Sequence, residues 1–213
     1  ARSGVVVVFN DAAYGAELVL TPGARGMQGA VDAALAMAQA NPGWFMPYQF
    51  ENESNPRAHE RTTAMEILAD LDGRIDAFVA GIGTGGTITG VGRVLKREVP
   101  GVRIVGVEPA ESPVLTAGDR SAAGPHGIQG IGAGFVPKVL DRSMIDEIIP
   151  VTTADAFAAA RELARTEGVL AGISSGAAAH AARTIARRLG SGTRILAILP
   201  DTGERYLSVE GLW

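Results

Sequence analysis

The stretch "AGIGTGGTITG", residues 80–90, places five glycines and three threonines in eleven positions. Glycine loses more backbone freedom on folding than any other residue, so a segment like this is ordered for a reason. Gly81, Gly83 and Gly86 satisfy G-x-G-x-x-G, after the apolar run "IDAFVAG" and ahead of a helical pattern. Glu108 closes the next apolar run, where a dinucleotide-binding loop needs an acid for the ribose hydroxyls. That spacing predicts a nicotinamide or flavin cofactor. The same backbone suits any phosphate monoester, because free amides at a helix N-terminus favour negative charge. Thr84 and Thr87 add two hydroxyl donors, which match a terminal phosphate better than a pyrophosphate. A plain strand-to-helix turn is the third reading, although it needs fewer glycines. A second glycine-flanked helix start, "LAGISSGAA", carries Ser174 and Ser175. Serine there is a favoured N-cap, or the second half of a bipartite site.

What the sequence lacks narrows the chemistry. It contains no cysteine, which excludes disulfides, iron–sulfur clusters and thiol catalysis. His59, His126 and His180 are the three histidines and are widely spaced, so no metal site is expected. Lys96 and Lys138 are the only two lysines. The net charge of -4 is spread without a basic stripe, which argues against nucleic acid or an anionic membrane surface as partner. No apolar run is long enough to span a bilayer and no secretory leader is recognisable, so a cytoplasmic protein is expected. Hydrophobic residues make up 46% of the 213, enough for a substantial core.

The elements that must position these residues alternate. Strands are expected at 4–9, 17–21, 44–50, 75–81, 102–108, 145–152 and 193–200, the third interrupted by Pro47. Helices are expected at 27–40, 55–71, 87–99, 153–168 and 174–190. Residues 109–137, rich in glycine and proline, read as a long loop. Continuous apolar strands alternating with helices predict an α/β fold, a mainly parallel sheet covered on both faces. The polar stretch "ENESNP", residues 51–56, is the best candidate boundary.

Taken together, "GAELVLTPGARGMQGA", "YQFENESNPRAHERTT", "VAGIGTGGTITGV", "VEPAESPVL", "GPHGIQGIGAGFVP", "EGVLAGISSGAA" and "LPDTGERYLS" resemble the cysteine synthase (O-acetylserine sulfhydrylase) family of pyridoxal-phosphate enzymes. The resemblance runs in order through most of the chain, from about Tyr14 to Ser208. It implies a three-layer α-β-α, tryptophan synthase β-like fold, with residues 1–52 a remnant of a smaller mobile domain and 53–213 the large cofactor-holding domain. It implies that Gly83, Thr84, Gly85, Gly86 and Thr87 cradle the phosphate of pyridoxal 5'-phosphate, and that Ser174 meets the pyridine nitrogen. Gln49 resembles the glutamine near the substrate carboxylate. Gly130 resembles the loop glycine whose backbone faces the amino-acid substrate, and His126, in the same loop, has a structural or gating place. Glu108 would then be only a strand-end acid.

The implied activity is β-replacement, forming L-cysteine from O-acetylserine and sulfide. A cystathionine β-synthase-like enzyme is the sibling alternative. The family also places a Schiff-base lysine and a "TSGNTG"-type loop upstream, and neither has a counterpart here. Lys96 and Lys138 do not match the lysine's position and read as surface charges, so the chain is expected to lack the N-terminal part of the pattern and to be inactive by itself. A homodimer is implied, and so is a possible docked C-terminal tail of serine acetyltransferase. A non-catalytic fragment that binds the cofactor or that tail is the remaining alternative.

Overall fold

A computed structural model describes residues 14–213, so the strand expected at 4–9 lies outside the described residues. The chain divides into two compact units, Ala1–Pro47 and Tyr48–Trp213. In the first, alanine-rich α1 (Gly26–Ala40) follows a 3-10 turn at Gly23–Arg25. It stops at Asn41, whose side-chain amide donates to Met37 O at 2.9 Å, ahead of Pro42. Residues 17–21 are not a strand. β-branched residues favour extended backbone only when a neighbouring strand completes the ladder, and among the described residues none pairs with them. The strand expected at 44–50 is also absent. Trp44 N–H closes a turn onto Asn41 O at 2.9 Å, Pro47 has no N–H to give a ladder, and Tyr48 is left-handed at φ 41°.

The second unit is built on four parallel strands: β1 (Ala77–Gly81), β2 (Arg103–Pro109), β3 (Glu147–Val151) and β4 (Ile195–Ala197), in the order β3-β2-β1-β4. Alternation along β1 separates two cores. Phe78 and Ala80 pack with α3 (Thr63–Asp70) and α4 (Gly86–Glu98). Ala77 and Val79 pack with α6 (Thr153–Glu162) and α7 (Ile173–Leu189). Helices therefore cover both faces, and the three-layer, mainly parallel α/β architecture holds. Burying a side chain such as Phe78 or Ile104, each fully buried, contributes roughly 1.5–3 kcal/mol.

Helix α4 returns the chain from β1 to β2, while α6 and α7 lie between β3 and β4. The helix expected over 55–71 is two, α2 (Ser54–Arg61) and α3, broken at Thr62. The Thr62 hydroxyl donates to Ala58 O at 2.9 Å, a local bond that competes with helix propagation and bends it. The 109–137 loop contains two short helical turns, α5 (Val114–Ala117) and a 3-10 turn at Arg120–Ala122. Among the described residues no helix is long and apolar enough to cross a membrane.

Candidate functional site

Strand β1 ends at Gly81, and four residues later Gly85 caps α4 in the left-handed region, φ 85°. A side chain at Gly85 would be strained there. The other glycines are required by close approach. A Cβ on Gly86 would lie 1.9 Å from Asn55 Oδ1, and one on Gly83 would lie 2.5 Å from Gly130 O. The first hydrogen bond of α4 runs from Thr89 N–H to Gly85 O at 3.0 Å. The amides ahead of it have no intrahelical acceptor; that of Gly86 turns toward Thr84 Oγ1, and those of Thr87 and Ile88 are left for an outside acceptor.

Both threonines are held from behind by α2. Asn55 Nδ2 donates to Thr84 Oγ1 at 3.0 Å and to Gln49 O at 2.9 Å. The Gly86 amide lies 3.3 Å from the same Thr84 oxygen. His59 Nε2 is 3.1 Å from Thr87 Oγ1, and its Nδ1 is 2.9 Å from Thr63 Oγ1. Burial holds the His59 imidazole below its usual range, so the neutral ring is favoured at pH 7.

The glycine-rich loop at 124–134 closes over this end of the sheet. Gly132 N–H donates to Ile82 O at 3.1 Å, and His126 Nε2 meets Gly132 O at 3.1 Å while its buried Nδ1 has no partner. Gly130, at φ 91°, stands between the 83–87 loop and α7. Its carbonyl approaches Gly83, and a Cβ built on it would lie 3.9 Å from Ser174 Oγ.

Ser174 is 4% exposed, and its hydroxyl makes no hydrogen bond among the described residues. The N-cap of α7 is Gly172, with no side-chain cap, so the reading of the serines as caps is corrected. Neither stands at the cap position, because the helix begins two residues before Ser175. Gly172 is fixed instead by the chain end. Its amide donates to Asp201 O at 3.0 Å, and a Cβ on it would meet Asp201 Oδ1 at 2.1 Å. The Tyr206 hydroxyl donates to Asp201, and burial pushes that phenol up from its ordinary pKa.

The structure thus brings Gly83, Thr84, Gly85, Gly86 and Thr87 to one helix start. Gly130 and Ser174 lie close on one side, and Gln49 is tied to the same Asn55 that holds Thr84. It does not bring Glu108 into play. That acid is 1% exposed, and its carboxylate accepts the amides of Leu115 and Thr116 at 2.8 and 2.9 Å and the Thr116 hydroxyl. With both oxygens spent on the start of α5, the ribose role is corrected. Lys96 pairs with Asp146 at 2.6 Å and Lys138 with Glu51 at 2.8 Å, both near the surface. Sequence inspection missed Asn55 and His59. The i, i+4 spacing of His59 and Thr63 was visible, but the loop partners of His59 and Asn55 lie 28 and 29 positions away.

The profile of the family described as "Pyridoxal-phosphate dependent enzyme" matches residues 7–201. The chain belongs to this family. It is 52% identical to a cysteine synthase of Staphylococcus aureus over 197 residues, 92% of this chain and 62% of that protein. The crystal structure of a cysteine synthase from Entamoeba histolytica superposes with a TM-score of 0.91 at 44% identity, covering 100% of this chain and 62% of that one. An O-acetylserine dependent cystathionine beta-synthase from Helicobacter pylori gives 0.92 at 39% identity, covering 100% and 68%. The chain spans 62% of the length of the curated relatives it matches.

The donors present fit the family's cofactor. Pyridoxal phosphate carries a phosphate monoester, and the outward amides of α4 with the Thr84 and Thr87 hydroxyls form a set of neutral donors for it. The glycine positions leave backbone where a Cβ would intrude. The Ser174 hydroxyl, which makes no hydrogen bond among the described residues, keeps a proton to give.

Proposed function

We propose that this chain is the cofactor-holding part of an enzyme that replaces the β-substituent of O-acetylserine with sulfide, forming L-cysteine. On this proposal residues 53–213 are the large domain and 1–52 a remnant of a smaller, mobile one. Gly83, Thr84, Gly85, Gly86 and Thr87 hold the phosphate of pyridoxal 5'-phosphate. Ser174 donates its hydroxyl proton to the pyridine nitrogen. Gln49 takes the substrate carboxylate, and the backbone at Gly130 faces the substrate. The cofactor, when bound, supplies the electron sink that lets a β-substituent depart. A neutral hydroxyl on the ring nitrogen leaves it unprotonated, a weaker sink than a carboxylate would enforce, which suits β-elimination over deeper carbanion chemistry. The observation that carries the proposal is the approach of Gly83, Gly130 and Ser174 in a chain whose relative at 52% identity is a cysteine synthase.

Lys96 and Lys138 are each engaged in an ion pair, and neither stands where the family resemblance requires the lysine that moves the α-proton. The 213 residues by themselves are therefore proposed to be inactive. The test combines the purified chain, pyridoxal phosphate, O-acetylserine and sulfide, followed by borohydride reduction and intact mass. The expected result is no cysteine and a mass near 22.0 kDa without a pyridoxyl group. Turnover, or an adduct on Lys96 or Lys138, would contradict it.

The Helicobacter pylori neighbour, at a TM-score of 0.92, supports a second acceptor. In an enzyme completed to the relatives' length, sulfide and a thiol amino acid compete, and the product identifies which one the site takes. The proposal extends to a cytoplasmic homodimer and to docking of a serine acetyltransferase C-terminal tail.

A further inference from the structure

Helix α2 meets α4 through glycine. A Cβ on Gly90 would lie 2.2 Å from Pro56 O and 2.9 Å from His59 Cβ. This close seating brings two α2 side chains against the two loop hydroxyls, and they constrain those hydroxyls differently. A threonine oxygen has one proton to give and two lone pairs. At Thr84 both lone pairs face N–H donors, Asn55 Nδ2 at 3.0 Å and Gly86 N at 3.3 Å. The Thr84 proton is then left to donate away from α2. Among the described residues Thr87 faces only His59 Nε2, at 3.1 Å, and the outcome depends on which ring nitrogen carries hydrogen.

A neutral imidazole has one N–H. If it sits on Nδ1, Nε2 is an acceptor and consumes the Thr87 proton. If it sits on Nε2, the ring donates to Thr87 and accepts the Thr63 hydroxyl at Nδ1, 2.9 Å away. The Thr87 proton is then free for an anion. We propose that His59 is a positioning residue of this site: its Nε2–H tautomer, with Nδ1 accepting the Thr63 hydroxyl, turns Thr87 into a donor toward a phosphate monoester held at the 83–87 loop. The inference rests on the loop being the phosphate site. It adds an element, α2, to the machinery that selects phosphate, and it requires the bound anion to choose the tautomer. A ligand without a phosphate imposes no such choice. The imidazole acts as a neutral relay, since burial disfavours its cation.

The experiment is a long-range proton–nitrogen correlation of the histidine rings in the nitrogen-15-labelled protein, with and without inorganic phosphate and then pyridoxal phosphate. His59 is assigned as the ring whose signals vanish in His59→Gln, leaving His126 and His180. Backbone amides of Gly85, Gly86 and Thr87 report in the same sample whether the anion sits at the loop. With phosphate bound, His59 is expected to show a protonated Nε2 and a bare Nδ1. His59→Gln, which keeps an N–H for Thr87, is expected to hold phosphate within about threefold of the parent, whereas His59→Ala loses roughly tenfold or more.

If the loop amides respond while His59 carries its proton on Nδ1, the inference fails and the phosphate reading stands. Equal losses in the Gln and Ala variants would also overturn it. Loop amides that ignore phosphate would overturn both.

Discussion

Gly86 has no room for a side chain because Asn55 already occupies that space, and Asn55 is there because Thr84 and the Gln49 carbonyl share its amide. One substitution therefore disturbs several contacts. Gly86→Ala is expected to displace Asn55, weaken pyridoxal phosphate at least tenfold and lower stability by about 1–3 kcal/mol. Cofactor titration and denaturant unfolding read the two effects separately. His59 adds a pH dependence. Burial depresses its pKa in the folded state, so below the ordinary imidazole value of about 6.5 the unfolded chain binds a proton that the folded chain resists. Stability should be flat in this group above that pH and should fall as pH drops through the window beneath it. Unfolding midpoints at pH 7.5 and 5.5 for the parent and His59→Gln check this, with the Gln variant losing less on acidification.

At the scale of elements, the decisive junction is α2 against α4. Gly90→Ala ought to stabilise an isolated helix by about 1 kcal/mol. Here its Cβ would strike the Pro56 carbonyl, which is backbone and cannot swing away. The expected outcome is a net loss of about 1–3 kcal/mol with cofactor affinity falling in parallel, since α2 carries both Asn55 and His59. Unchanged unfolding of Gly90→Ala would contradict the close seating.

This junction also marks how far the sequence could be read. The glycine loop was legible because its whole signal lies within eleven residues, and the β1 and β2 strands because apolar runs bounded by polar turns leave few alternatives. The α2–α4 contacts were not, since they join positions about thirty apart, from 28 for Thr87 and His59 to 34 for Gly90 and Pro56. The strand expected at 17–21 failed for a related reason: strand propensity is realised only by a pairing partner, which local sequence does not reveal. The helix over 55–71 broke at Thr62, whose hydroxyl offers the backbone a competing bond.

At the scale of the whole molecule, the sheet places its functional ends together. The loop after β1 and the N-terminus of α7 both lie near Gly130, so two segments ninety positions apart share one site. On the proposed function, both segments are glycine-flanked helix starts because both approach one flat, phosphorylated ring closely. The 62% share of the relatives' length makes the proposed division of labour concrete. The described residues hold the groups proposed to grip the cofactor, while the lysine that would move protons has no match among Lys96 and Lys138. Binding and turnover should therefore be separable in this chain.

The most direct test is a backbone amide titration of the protein with pyridoxal phosphate, inorganic phosphate and a dinucleotide. The account predicts that pyridoxal phosphate and phosphate shift the Gly85, Gly86 and Thr87 amides alike, that only pyridoxal phosphate also shifts Ser174, and that the dinucleotide shifts neither set. Amides at the loop that respond to the dinucleotide and not to phosphate would contradict it.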